Sequence, residues 1–196
     1  MKLIGITGGV GAGKSEIISY LESKYNCRIE YADKVAHMLE EPGQVCFDKL
    51  VNLLGTGILK DGKIDKASMA NAMFKDDTLV DKVNDIVHPA VKDYFLREIK
   101  AERKKKKIDY FFIEAALLIE CGYEKIVDEL WYVYASEETR RKRLKASRGY
   151  SDEKIDAILS NQLSEDEFRK ACAFVINNDA DIEDAYRQID SKLGGF

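Results

Sequence analysis

The feature that most narrows what this chain can fold into is the stretch Gly8-Gly9-Val10-Gly11-Ala12-Gly13-Lys14-Ser15. It fits the spacing G-x-x-x-x-G-K-[ST]. An apolar, β-branched run, Leu3 to Thr7, precedes it, and Ile17, Ile18 and Leu21 follow at helical spacing. A backbone that wraps phosphate groups with its N–H donors needs small side chains at the turn, and four of these eight residues are Gly. The helix opening at Ser15 then offers its positive N-terminal end to the anion. Strand, glycine loop and helix in this order predict an α/β fold.

The rest of the chain agrees. Arg28–Tyr31, Tyr110–Glu114, Leu130–Tyr134 and Phe174–Ile176 read as further strands, and Ile182–Leu193 as a closing helix. Strands separated by helices imply βαβ units, hence a parallel sheet flanked by helices. From Lys34 to about Arg103 the pattern is helical and strand-poor, broken at Pro42-Gly43, Gly55-Thr56-Gly57 and Asp61-Gly62, which predicts a helical insertion.

Composition sets the outer limits. Of 196 residues, 45% are hydrophobic and 34% charged, so the chain can bury a core and is not disordered. The net charge of −4 disfavours general nucleic-acid binding. The run Arg103 to Lys107 ends a helix, where cations are stabilised and solvated. No apolar run is long enough to span a membrane or serve as a signal peptide, so a cytoplasmic location is expected. Cys27, Cys46, Cys121 and Cys172 lie far apart and read as free thiols; neither His37 nor His88 has zinc spacing to them.

Within the loop, Gly9, Val10, Gly11, Ala12, Gly13, Lys14 and Ser15 would cradle a triphosphate. Lys14 would reach the β- and γ-phosphates of ATP, and the Ser15 hydroxyl would be a Mg²⁺ ligand. Asp33, just past the second strand, could take a proton from an acceptor hydroxyl, or could simply N-cap a helix beginning at Lys34. Position alone leaves both readings open. Glu114 is a candidate partner for Mg²⁺, and Glu120 could hold a loop or a substrate. Arg140, Arg141, Lys142, Arg143, Lys145 and Arg148 crowd one helix, and only some can share a face. They could close over phosphates from a mobile segment, or form a solvated basic helix.

Taken together, these residues resemble the dephospho-CoA kinase family, over nearly the whole chain. The resemblance rests on Ile4–Gly9 with the loop, Ala32-Asp33 with Val35-Ala36, and Gly62–Asp65 with Phe74. It continues in Ile86–Val91, which holds His88-Pro89, and in Leu117-Leu118-Ile119-Glu120, Arg143-Leu144, Gln162 and Phe174–Asn178. It implies a phosphate-loop kinase fold with a core of about 1–34, 108–137 and 172–196, an acceptor-binding helical subdomain of about 35–107, and a lid of about 138–171. It implies transfer from Mg·ATP to the ribose 3′-hydroxyl of dephospho-CoA, by a monomer or weak homo-oligomer. Asp33 would be the base, Lys14, Arg143 and Arg148 would assist, and Arg140 and Asn177 would lie by the nucleotide. His88, Leu117 and Glu120 would lie by the acceptor. The chain departs from the family pattern at Tyr31 (usually an acid), Lys66 (Arg), Arg140 (Gln), Ala116 (Pro), Glu16 (Thr) and Ser147 (Arg), which leaves Arg148 as the neighbouring substitute.

The nearest rival is another small-molecule kinase of the same fold. A nucleotide-dependent switch should carry D-x-x-G and N-K-x-D, and neither string occurs.

Overall fold

A computed structural model describes residues 1–74, 76 and 78–194. The chain divides into two compact units, Met1–Ile29 with Lys107–Phe196, and Glu30–Lys106. In chain order the elements are β1 (Lys2–Thr7), α1 (Lys14–Lys24), β2 (Cys27–Tyr31), α2 (Ala32–Leu39), α3 (Phe47–Leu54), β3 (Leu59–Lys60), β4 (Lys63–Ile64), α4 (Lys66–Phe74) and α5 (Thr78–Lys105). There follow β5 (Tyr110–Glu114), β6 (Glu129–Tyr134), α6 (Glu137–Arg148), α7 (Asp152–Leu159), α8 (Glu165–Ala171), β7 (Phe174–Asn177) and α9 (Ile182–Leu193).

The main sheet has the order β2-β5-β1-β6-β7. β1 pairs in parallel with β5, Ile4 beside Phe112 and Ile6 beside Glu114, and with β6, Ile6 beside Trp131. β6 pairs in parallel with β7, Trp131 beside Phe174. A parallel sheet covered on both faces requires continuous apolar strands rather than alternating ones. Leu3, Ile4, Ile6, Phe111, Phe112, Ile113, Trp131 and Val133 are accordingly all fully buried. Gly5 stands among them because a side chain there would strike Leu130 and Leu118. The parallel sheet expected from the sequence is therefore present, and each expected strand lies within a residue of its place.

α9 is tied to α1 by Asp190. Its carboxylate accepts from Tyr20 and Tyr25, each at 2.6 Å, and from Lys24 at 2.5 Å, while Tyr20 stacks on Tyr186 at 3.9 Å between ring centroids. Burial alone would raise the Asp190 pKa, but the hydrogen bonds from Lys24, Tyr20 and Tyr25 outweigh it and bring it down to about 2. A carboxyl lowered in the folded state adds stability above its unfolded pKa, and that contribution is lost as pH falls through the folded value. Asp190→Asn should therefore lower the melting temperature at pH 7. Thermal melts should show the gap between the two proteins narrowing from about pH 4 to pH 2, and a gap independent of pH would refute this account.

The unit Glu30–Lys106 is built on α5, whose Val83, Val87, Val91, Phe95 and Ile99 form a buried stripe at four-residue spacing. Pro89 lies inside this helix on its exposed side. Val35, Leu39, Cys46, Leu50 and Ile58 complete the core of that unit. One local expectation fails here. Asp61-Gly62 is not merely a break but the turn of a small antiparallel hairpin, Leu59 beside Ile64, with both turn residues at positive φ (52° and 77°). Asp-Gly is the residue pair such a two-residue turn demands, and flanking strands of two residues are too short to show alternation. The four cysteines are free thiols, and among the described residues no helix is long and apolar enough to cross a membrane.

Candidate active site

The glycine loop follows β1 and leads into α1, whose first residue is Lys14. Gly13 has φ 89°, a conformation that side chains rarely adopt, and the Asn178 amide lies where its Cβ would be. Gly9 is packed in the same way against the Arg140 guanidinium. Lys14 is mostly buried rather than solvated: Nζ donates to Gly8 O at 2.7 Å and stands 3.8 Å from Glu114 Oε1. Glu114 reaches the loop because the β1–β5 register sets it beside Ile6, one residue before Thr7. Ser15 is exposed in the first turn of α1.

The basic helix α6 sorts its charges by face. Arg140, Arg143 and Leu144 turn toward the loop. Arg140 Nε donates to Val10 O at 2.9 Å, and Arg143 donates to Ala12 O at 3.3 Å and to Asn178 O at 2.9 Å. Leu144 is buried beside Gly11. Arg141 pairs with Glu137 and Asp156, Lys142 with Glu138 and Lys145 with Asp152, all on the outer side. Arg148 is exposed at the helix end, its guanidinium 5.8 Å from the Tyr150 ring centroid, and about 12 Å along the helix axis from Arg140. The structure thus brings Arg140 and Arg143 to the loop and leaves Arg148 apart from them.

Three side chains outside the glycine loop and α6 support this arrangement. Asn178 is buried, donates to Ala12 O at 2.8 Å, and has its Oδ1 without a hydrogen-bond partner. Asp179 accepts from Ser136 N at 2.8 Å, and the hydrogen bonds from Ser136 and Thr139 hold its carboxyl below the usual range. Gln162 bonds both Val10 and Arg140. They are 22 to 166 residues from their partners, beyond the reach of any local pattern. Asn177 is exposed, with its backbone N–H bonded to Gln188 Oε1 at 2.8 Å.

In the turn after β5, Leu117 is exposed while Leu118 is fully buried against Gly5, and Glu120 is exposed. In the other unit, His88 lies half-buried on α5. Asp33 is exposed in the first turn of α2, which begins at Ala32 with Tyr31 as N-cap and no side-chain cap. The capping role for Asp33 is thereby excluded. Tyr31 carries the Lys34 ammonium 3.7 Å from its ring centroid, and Lys66 Nζ lies 3.2 Å from His37 Nδ1.

Comparison with known proteins agrees with this fold. The model of the dephospho-CoA kinase family (CoaE) matches residues 2–184. A dephospho-CoA kinase of Streptococcus mutans is 33% identical over 193 residues, which cover 98% of this chain and 96% of that protein. A crystal structure of TT1252 from Thermus thermophilus superposes with a TM-score of 0.82 at 28% identity, covering 98% of this chain and 96% of that one. Shikimate kinase from Bacteroides thetaiotaomicron shares the fold alone, at TM-score 0.57 and 14% identity, covering 98% of each chain. A family match of this extent, on a chain whose glycine loop, Lys14 and Ser15 open the first helix, makes it a member of the dephospho-CoA kinase family.

Proposed function

We propose that this enzyme transfers the γ-phosphoryl group of ATP to the ribose 3′-hydroxyl of dephospho-CoA, giving coenzyme A and ADP. The observation that carries this reading is the family match across residues 2–184, which includes every loop residue. Phosphoryl transfer asks a protein chiefly to position the reactants and offset developing charge. Lys14 and the α1 N-terminus supply positive potential at the phosphates. Gly9 to Gly13 wrap them with backbone amides, and Arg140 and Arg143 hold the loop and face it with further cations. Asp33 accepts the proton of the attacking hydroxyl, whose oxygen bonds to the γ-phosphorus as the bond to ADP breaks.

The oxygen donors at the loop suit Mg²⁺, which is commonly held by few protein oxygens together with substrate phosphates and water. The Ser15 hydroxyl would bind it, with Glu114, near Lys14, as the available carboxylate. When bound, the ion neutralises phosphate charge.

The unit Glu30–Lys106 receives the acceptor in this proposal, with His88 there and Leu117 and Glu120 in the turn after β5 as acceptor-facing residues. Asn177 borders the nucleotide. Residues of about 138–171 form the lid, with Arg143 as its acting arginine. The protein works in the cytoplasm as a monomer or weak homo-oligomer, and its net charge of −4 gives nucleic acid no general attraction.

Incubation with Mg·ATP and a panel of dephospho-CoA, adenosine, AMP and shikimate tests the acceptor. Mass spectrometry should find coenzyme A as the phosphorylated product. Phosphorylation of another member with dephospho-CoA untouched would overturn the assignment.

A further inference from the structure

Gln162 lies in the turn between α7 and α8, 152 residues from Val10. Its Oε1 accepts from two donors on different elements, the Val10 N–H at 3.4 Å and the Arg140 guanidinium at 2.5 Å. Arg140 Nε in turn donates to Val10 O, so the three residues close a ring over the first turn of the glycine loop. A loop amide and a guanidinium converging on one oxygen is the donor pair proteins direct at a phosphate.

The charge around Arg140 points the same way. It is half-buried, and burial pulls its pKa down. Its hydrogen-bond acceptors are a carbonyl and an amide oxygen, neither of them charged. On the same helix Arg141, Lys142 and Lys145 are all paired with carboxylates. Carboxylates thus neutralise the outer face of α6, while the face toward the loop keeps its charge against a neutral acceptor. A phosphate oxygen, being charged, makes the stronger bond to these donors and can displace an amide.

We propose that Gln162 is a placeholder for a nucleotide phosphate oxygen, holding Val10 N–H and Arg140 until the nucleotide displaces it. This inference rests on the kinase reading. Binding becomes an exchange of one acceptor oxygen for another, and Gln162 lowers nucleotide affinity by the strength of the bonds it must give up. Arg140 stands where the family commonly has Gln, so the exchange is a property of this chain's own residue pair.

The test is calorimetric titration of ATP into the full chain and its Gln162→Ala, Gln162→Asn and Gln162→Glu variants, with melting temperatures as the check on folding. Ala lacks the acceptor and Asn is one methylene too short, so both should bind ATP about 3–10-fold tighter. Glu keeps the shape but pairs with Arg140 and repels phosphate, so it should bind about 10-fold more weakly or worse. Opposite signs for Ala and Glu at unchanged melting temperature are the signature of a placeholder, since a merely structural prop would weaken binding in every variant. Equal or weaker ATP binding by both the Ala and Asn variants would overturn the inference and leave the kinase reading standing. Failure of the unaltered chain to bind ATP would sink both.

Discussion

Replacing Lys14 with alanine should lower kcat/KM for phosphoryl transfer by about two to four orders of magnitude, because transition-state charge on the transferring group loses its cation. The structure adds a stability cost. Lys14 Nζ donates to Gly8 O at 2.7 Å and stands 3.8 Å from Glu114, so truncation leaves an acceptor and a carboxylate without this cation. A loss of about 1–2 kcal/mol is expected, visible in denaturant titration as a lower midpoint with an unchanged slope. Lys14→Arg should restore the charge but not the transfer rate, because the guanidinium fork does not fit a position shaped for a compact ammonium. A folded Lys14→Ala enzyme turning over at the normal rate would remove this lysine from the mechanism.

Asp33→Asn is the second decisive substitution. Asn cannot take the hydroxyl proton, so kcat should fall by about 10²–10⁴ while the Kd for ATP changes little. Stability should hardly move. Asp33 sits exposed within the first turn of α2 and makes no capping bond, so the substitution forfeits only its interaction with the helix dipole, at most about 1 kcal/mol. The pairing of a large kinetic effect with a small thermal one distinguishes a proton acceptor from a residue that holds the fold. Unchanged turnover with a melting temperature several degrees lower would assign Asp33 to structure instead.

Much of the site was legible in the sequence for local reasons. Gly8 to Ser15 could be read because wrapping phosphate forces small residues into a short stretch, and that stretch is contiguous in the chain. Asp33 stands out in the sequence just past the second strand, but its two readings are not separable there, since a helix start at Lys34 rather than the observed Ala32 is a matter of two residues. Helical spacing allows only part of the basic run on α6 to share one face. Which arginines meet the loop depended on where Leu144 is buried, and Leu144 lies against Gly11, more than 130 residues away. Arg148, grouped with these arginines from the sequence, falls on the exposed end of the helix because two further turns carry it away from the loop. Gln162 and Asp179 carry no local signature of their roles: a lone Gln in a turn and a lone Asp after a strand are ordinary surface residues until their partners are known.

By itself, the sequence determined the five strands of the main sheet, the glycine loop, the helix that follows it and the parallel character of that sheet, because each is written in the spacing of neighbouring residues. Continuous apolar runs mark strands buried on both faces, and glycines mark a backbone that must approach another group closely. Tertiary structure alone decided the order β2-β5-β1-β6-β7, the register that brings Glu114 beside Ile6, and the closure of Arg140 and Gln162 over Val10. Those choices come from packing whole faces against one another, where burial of Phe112 and Trp131 on either side of β1 selects one arrangement among several that local spacing allows equally.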